Sequence, residues 1–275
     1  MDSQTSSPAP SLGFIGGGKL AGSVIRGLIR AKYCPPAAIV VSEPNEAARR
    51  ALEGELGISG TTDNAALARQ VNVILIGVKP SVVAPVLRDI ASLIEGKQVI
   101  SLAAGVRIDA MEKTAKARFM RAMTNTPAAV CRAATALAKG GRTTNEDIAI
   151  ANEIFGAIGV AVEVEEEQID AVTGLSGSGP AFVYTVIEAL AKGGEKMGLA
   201  ADVALSLATQ TVLGAAQLAA ESKLSPEELR EMVVSPGGTT AAVLAAMEKL
   251  KTSEGLIAAV EAATKRGQEM AQENP

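Results

Sequence analysis

The chain has 275 residues, a formal net charge of −4 and 48% hydrophobic residues, with aromatics at 2% and neither Trp nor His. That length suits two domains with ample apolar core, while the acidic balance and scarce aromatics argue against nucleic-acid binding and base stacking. Without histidine, Ser-His-Asp and Cys-His catalysis are excluded and the commonest metal ligand is missing, so no metal site is expected. Cys34 and Cys131 are too few for a disulfide framework and read as reduced thiols of a cytoplasmic protein. No stretch approaches the roughly 20 unbroken apolar residues of a membrane span. Residues 1–10 read as a disordered tail without the marks of a targeting signal.

In chain order, 11–16 is a short apolar run and 19–31 follows with helical spacing; 38–42 is a second strand and 45–56 a second helix. Strands are predicted at 72–78 and 98–102, separated by a helix over 82–94, and the runs 119–123, 134–138 and 160–164 extend the sheet. Near-continuous apolar strands between amphipathic helices predict a doubly wound α/β domain with a parallel sheet, over residues 11–166.

Ile15 leads into Gly16-Gly17-Gly18-Lys19-Leu20-Ala21, which fits Gly-x-Gly-x-x-Ala, a form of the dinucleotide fingerprint. Gly16 allows the tight turn, Gly18 the approach of a pyrophosphate, and Ala21 close helix–strand packing. Ser42 and Glu43 end the second strand, where an acid accepts hydrogen bonds from a ribose 2′-hydroxyl and repels a 2′-phosphate. Glu43 therefore hints at NADH, although Arg49 and Arg50 on the next helix are available to a phosphate. Val78, Lys79 and Pro80 follow the fourth strand, and Ala103 and Ala104 the fifth. These are the carboxyl ends of strands, where open α/β sheets bind ligands.

After Glu166 the pattern turns Ala-rich and helical, with helices predicted at 180–197, 201–222, 226–233, 239–250 and 253–271, within a helical domain over 167–275. The stretch from Thr173 through Ser176, Gly177 and Ser178 reads as a Gly/Ser loop entering the 180–197 helix. Pro180 sits in the first turn and Ser178 at the cap, and unpaired N–H groups there offer an anion seat. Ser235-Pro236-Gly237-Gly238-Thr239-Thr240 offers a second seat. So few bulky residues in a helical half point to burial against a second copy.

These two Gly-rich segments resemble the pyrroline-5-carboxylate reductase family. The resemblance rests on Asp170–Phe182 and Ser235–Thr240, supported in order by Phe14–Gly18, Val78–Pro80 and Met123–Pro127, and it covers about residues 12–270. It implies a Rossmann domain followed by an all-α dimerisation domain, often assembled as a ring of dimers. The implied reaction is hydride transfer from NADPH or NADH to the C=N carbon of 1-pyrroline-5-carboxylate, giving L-proline in the last step of its biosynthesis. By motif, Thr240 would hydrogen-bond the ring nitrogen, Gly238 and Thr239 the carboxylate, and Thr173 would join Thr240 in the catalytic set. Ser176, Gly177 and Ser178 fall to the substrate, and Asn64 and Asn125 to the cofactor. Glu166 matches a substrate-side glutamate in some members, but its acidic run, 163–167, reads on its own as a solvated face. Two departures are Glu43, where some members carry a small hydroxyl residue, and Met232, where a polar residue reaches the cofactor. Rival readings are another Rossmann reductase, such as a 3-hydroxyacid dehydrogenase or a cyclic imine reductase, and a dinucleotide sensor without activity.

Overall fold

The structure, a computed structural model, describes residues 11–273, so the tail expected at 1–10 lies outside the described residues. The chain divides into two compact units. One runs to Ser178 and takes the chain up again at Glu261; the other is Gly179–Val260.

The first unit is built on an eight-stranded sheet of β1 (Leu12–Ile15), β2 (Ile39–Ser42), β3 (Ser59–Thr61), β4 (Val73–Ile76), β5 (Gln98–Ser101), β6 (Arg118–Met123), β7 (Ala133–Lys139) and β8 (Gly159–Glu163), in the order β3-β2-β1-β4-β5-β6-β7-β8. Helices α1 (Lys19–Arg30), α2 (Glu46–Leu56), α3 (Asn64–Gln70), α4 (Pro80–Ile90), α5 (Ile108–Glu112) and α6 (Asn145–Gly156) cover it on both faces. Central strands are therefore apolar along their whole length: β1 and β4 have no exposed position. Strand alternation divides the core. Leu12 and Phe14 face Val24, Leu28 and Phe155 on one side, while Ile15, Ile74 and Ile76 face Leu67, Val83 and Leu87 on the other.

One expectation is corrected. The sheet is not wholly parallel, because β6 and β7 pair antiparallel. Only residues 124–132, with a 3-10 turn at Thr126–Val130, join these strands. That is short of the dozen or so residues a parallel crossover needs, so the chain reverses.

The second unit holds α8 (Gly179–Lys196), α9 (Ala201–Glu221), α10 (Pro226–Met232), α11 (Thr239–Lys249) and the start of α12 (Thr252–Glu273). A short α7 (Ile169–Val172) precedes them in the first unit. Ser225 starts α10 through a reciprocal capping box: its Oγ accepts from the Glu228 N–H at 3.2 Å, and its own N–H donates to Glu228 Oε2 at 2.7 Å. Ala191, Ala204 and Ala208 make the tight contact between α8 and α9, with Gly194 against Ala204. Most other apolar side chains here are exposed, among them Leu205, Leu207, Leu213 and Leu218 on α9. By length and hydropathy α9 is also sufficient to cross a membrane, and only 11% of its apolar window is buried, although it carries Asp202, Gln210 and Gln217. An exposed apolar face of this extent marks an interaction surface.

Candidate active site

The carboxyl ends of β1, β2, β4 and β5 are in register: Ile15 lies beside Ser42 and Ile76, and Ile76 beside Ser101. Strand order reverses at β1, between β2 and β4, and this is where a crevice opens in such sheets. A cleft of about 400 Å³ occupies the place, lined by Ile15, Gly16, Gly18, Ser42, Glu43, Asn64, Val78 and Lys79 together with Pro44, Gly77, Val82 and Val86. Eight residues assigned to the cofactor from sequence are thus brought together.

The glycines divide the work as their spacing predicts. Gly16 has φ +96°, and a Cβ there would lie 2.8 Å from the Gly77 backbone. At Gly18, by contrast, a Cβ would meet nothing within 4 Å. No side chain caps α1, so the N–H groups of its first turn, at Lys19 and Leu20, face that open space. This cradle fits a pyrophosphate at a helix N-terminus. Gly16→Ala should lower stability by about 1–3 kcal/mol through backbone strain. Gly18→Ala should instead keep stability within about 1 kcal/mol while weakening NADH binding about tenfold. Chemical denaturation and fluorescence titration of the two variants separate these effects; equal effects on both would contradict the assignment.

The other residues expected at the cofactor are not among those that line the cleft. Gly17 donates its N–H to Glu43 Oε2 at 2.8 Å. Ser42 Oγ donates to Asn64 Oδ1 at 2.6 Å. Lys79 and Pro80 open α4, again without a side-chain cap. Ala103 is buried in the core after β5, and Ala104 packs with Met123 and Ile169.

Residues 166–178 differ from expectation. Glu166 is not part of a solvated face: its side chain is 15% exposed, and Oε1 accepts from the Ile108 N–H at 2.7 Å and from Arg121 Nη1 at 3.2 Å. Arg107 stands 3.8 Å from its Oε2. Arg121, at 3% exposure, leaves Nε and Nη2 without a hydrogen-bond partner. Burial lowers its pKa against the opposing pull of Glu166. Sequence reasoning missed Arg121; the signal was a charge inside the apolar strand run 119–123.

The expected Gly/Ser loop is helical. From α7 the chain passes through a π turn at Thr173–Gly177, in which the Ser178 N–H bonds the Thr173 carbonyl five residues back at 2.8 Å, and continues as α8. α8 itself starts at Gly179, beside the start expected at Pro180, but a π turn leads into it in place of an open loop. The hydroxyls of Thr173 and Ser176 turn back to the Ile169 and Val172 carbonyls at 2.8 and 3.2 Å. Gly177 leaves room for Met123. Pro180 has no N–H to give the Ser176 carbonyl four residues back. Asn125 Nδ2 supplies it instead at 2.9 Å, while Asn125 Oδ1 accepts from Ala134 N–H at 3.1 Å. Both ends of this amide thus bond protein backbone. Wide π turns of this kind recur at functional sites.

The second segment does form a helix start. Gly237 takes φ +70°, Gly238 is the extended cap of α11 with its N–H on the Ser235 carbonyl at 3.0 Å, and Thr239 and Thr240 form the first turn. No side chain caps α11 and no acid lies in its first turn, so its N–H groups remain open to an anion.

A dinucleotide cleft in a Rossmann domain followed by a helical domain defines an NAD(P)-dependent oxidoreductase. Residues 11–105 match the family described as NADP oxidoreductase, coenzyme F420-dependent, and residues 166–270 that described as pyrroline-5-carboxylate reductase dimerisation. A pyrroline-5-carboxylate reductase of Pisum sativum is 44% identical over 94% of this chain and 96% of its own. The solved structure of a pyrroline-5-carboxylate reductase from Coxiella burnetii superposes with a TM-score of 0.88 at 35% identity, covering 96% of this chain and 99% of that one. One from Plasmodium falciparum, with NADP bound, gives 0.88 at 28%, covering 97% and 100%. The chain belongs to the pyrroline-5-carboxylate reductase family.

Proposed function

We propose that the chain reduces 1-pyrroline-5-carboxylate to L-proline, the last step of proline biosynthesis, and that Ser235–Thr240 holds the substrate. The observation that carries the substrate assignment is the open start of α11, where a glycine cap, free N–H groups and Thr240 come together. Gly238 and Thr239 lie against the carboxylate, Thr239 binding it through its backbone N–H, and the Thr240 hydroxyl sits at the ring nitrogen. NADPH or NADH supplies the hydride when bound. The protonated imine is already electrophilic, so orientation serves where an enzyme acid is otherwise needed. This suits a chain without histidine.

Gly16, Gly17 and Gly18 with Lys19 and Leu20 hold the pyrophosphate. Ser42, Glu43 and Asn64 hold the adenosine ribose, and Val78, Lys79, Pro80, Ala103 and Ala104 border the nicotinamide end. Thr173, Ser176, Gly177 and Ser178 shape the substrate side as a rigid helical wall. Asn125 and Glu166 hold that wall from behind. Self-association runs through the exposed apolar faces of the helical unit, and a ring of dimers is the assembly we expect, in the cytoplasm and without nucleic acid or membrane.

The reading is tested by following NADH oxidation with pyrroline-5-carboxylate, with a 3-keto acid and with no substrate. Turnover of the imine alone supports it. Turnover of the keto acid favours a hydroxyacid dehydrogenase, and no turnover a sensor.

A further inference from the structure

We propose that Glu43 makes NADH the preferred cofactor over NADPH, an inference that rests on the cleft at Gly16–Gly18 being the dinucleotide site. Glu43 directly follows the end of β2 and lines the cleft beside Ser42 and Asn64, where an adenosine ribose lies in a sheet of this order. Its carboxylate does not swing freely. Oε2 accepts from the Gly17 N–H at 2.8 Å and Oε1 from the Asn45 N–H at 2.9 Å, both backbone donors on either side of the cleft rim. Each oxygen keeps a lone pair for one ribose hydroxyl. The 2′-phosphate of NADPH, in the same position, meets a fixed negative charge instead.

The nearby arginines are Arg49 and Arg50 on α2, and neither is among the residues that line the cleft. Arg50 is paired with Glu46 at 2.6 Å. Arg49 donates Nη1 to the Glu43 carbonyl at 2.9 Å, and its stem packs over Gly60. The start of α2, the remaining anion seat beside β2, is closed as well. Asn45 caps it by accepting from the Ala48 N–H at 2.9 Å, and Glu46 places an acid in its first turn. Lys79 is the cation lining the cleft, and it stands at the end of β4, on the other side of β1 from Glu43. It borders the nicotinamide end common to both cofactors and does not discriminate between them. A fixed anion and a capped helix select against the extra phosphate, and neither arginine lines the cleft to offset them.

The test is direct binding together with turnover. Dissociation constants for NAD+ and NADP+, measured by calorimetry on the full chain, should differ at least about tenfold in favour of NAD+, with kcat/KM for NADH and NADPH following the same direction. Glu43→Ser should shrink that ratio at least about fivefold, chiefly by improving NADP+ binding, and Glu43→Gln should shrink it less, because the amide still hydrogen-bonds ribose. Equal or tighter binding of NADP+ by the unaltered protein overturns the proposal, as does a ratio that Glu43→Ser leaves in place. Binding of neither dinucleotide overturns the cleft assignment itself. The comparison within the unaltered protein stands even if a variant fails to fold.

Discussion

Thr240→Ala is expected to lower kcat by about ten- to a hundredfold, the effect of one or two lost hydrogen bonds at 1.4 kcal/mol per decade. Thr240 occupies the first turn of α11, half-buried, and among the described residues no protein group takes its hydroxyl. The substitution therefore removes a group aimed outward and leaves the helix start, set by Gly237 and Gly238, in place. Thr240→Ser keeps the hydroxyl and should retain most of the rate. The measurement is steady-state kcat with both substrates saturating, alongside thermal melts that should coincide for all three proteins. An unchanged kcat in Thr240→Ala would remove this residue from the mechanism.

A second large effect is expected at Glu166, on stability. Glu166→Ala strips Arg121 of its hydrogen-bonded anion, leaving only the weaker pull of Asp170, and the Ile108 N–H of its acceptor. Arg121 is 3% exposed and already has two unpartnered nitrogen atoms. Leaving a buried charge alone costs about 3–5 kcal/mol. For a chain of this size that lowers Tm by roughly 10 °C. Pairing the change with Arg121→Met removes the orphaned charge and should restore at least half of the loss. A Tm within about 2 °C of the parent in Glu166→Ala would show that the pair holds nothing together.

The sequence made the alternation of β1, α1, β2, α2 and β4 legible because buried parallel strands and amphipathic helices carry distinct periods. The cofactor cleft was legible for the same reason: Gly16, Gly18, Glu43 and Lys79 fall at fixed places relative to strand ends. What escaped were elements without an apolar signal. Strand β3 is Ser59-Gly60-Thr61, and it pairs with β2 through backbone alone. The π turn at Thr173–Gly177 reads as a loop because Gly and Ser disfavour helices locally. It is helical because β6 and Asn125 fasten it from outside, through Arg121 to Glu166 and through Asn125 to Ser176. Pro180 reads as a helix start, and α8 does begin beside it, at Gly179; what the sequence hides is that the Asn125 amide, distant in the chain, takes the Ser176 carbonyl to which Pro180 has no N–H to give. Glu166 looked solvated because a run of five residues cannot reveal that one of them faces a buried arginine.

The first unit is closed by residues that follow the whole helical unit in the chain. Met270 of α12 packs against Gly105, where a Cβ would meet Met270 Cβ at 2.8 Å, and Gly267 packs against Asp170. Synthesis at about 5–20 residues per second lets earlier parts of a chain begin folding first. The sheet of this protein nevertheless waits, with Gly105 and Asp170 uncovered, until the whole helical unit has been translated. Order of synthesis thereby has the dinucleotide domain finished after the helical unit, although its strands are made before it.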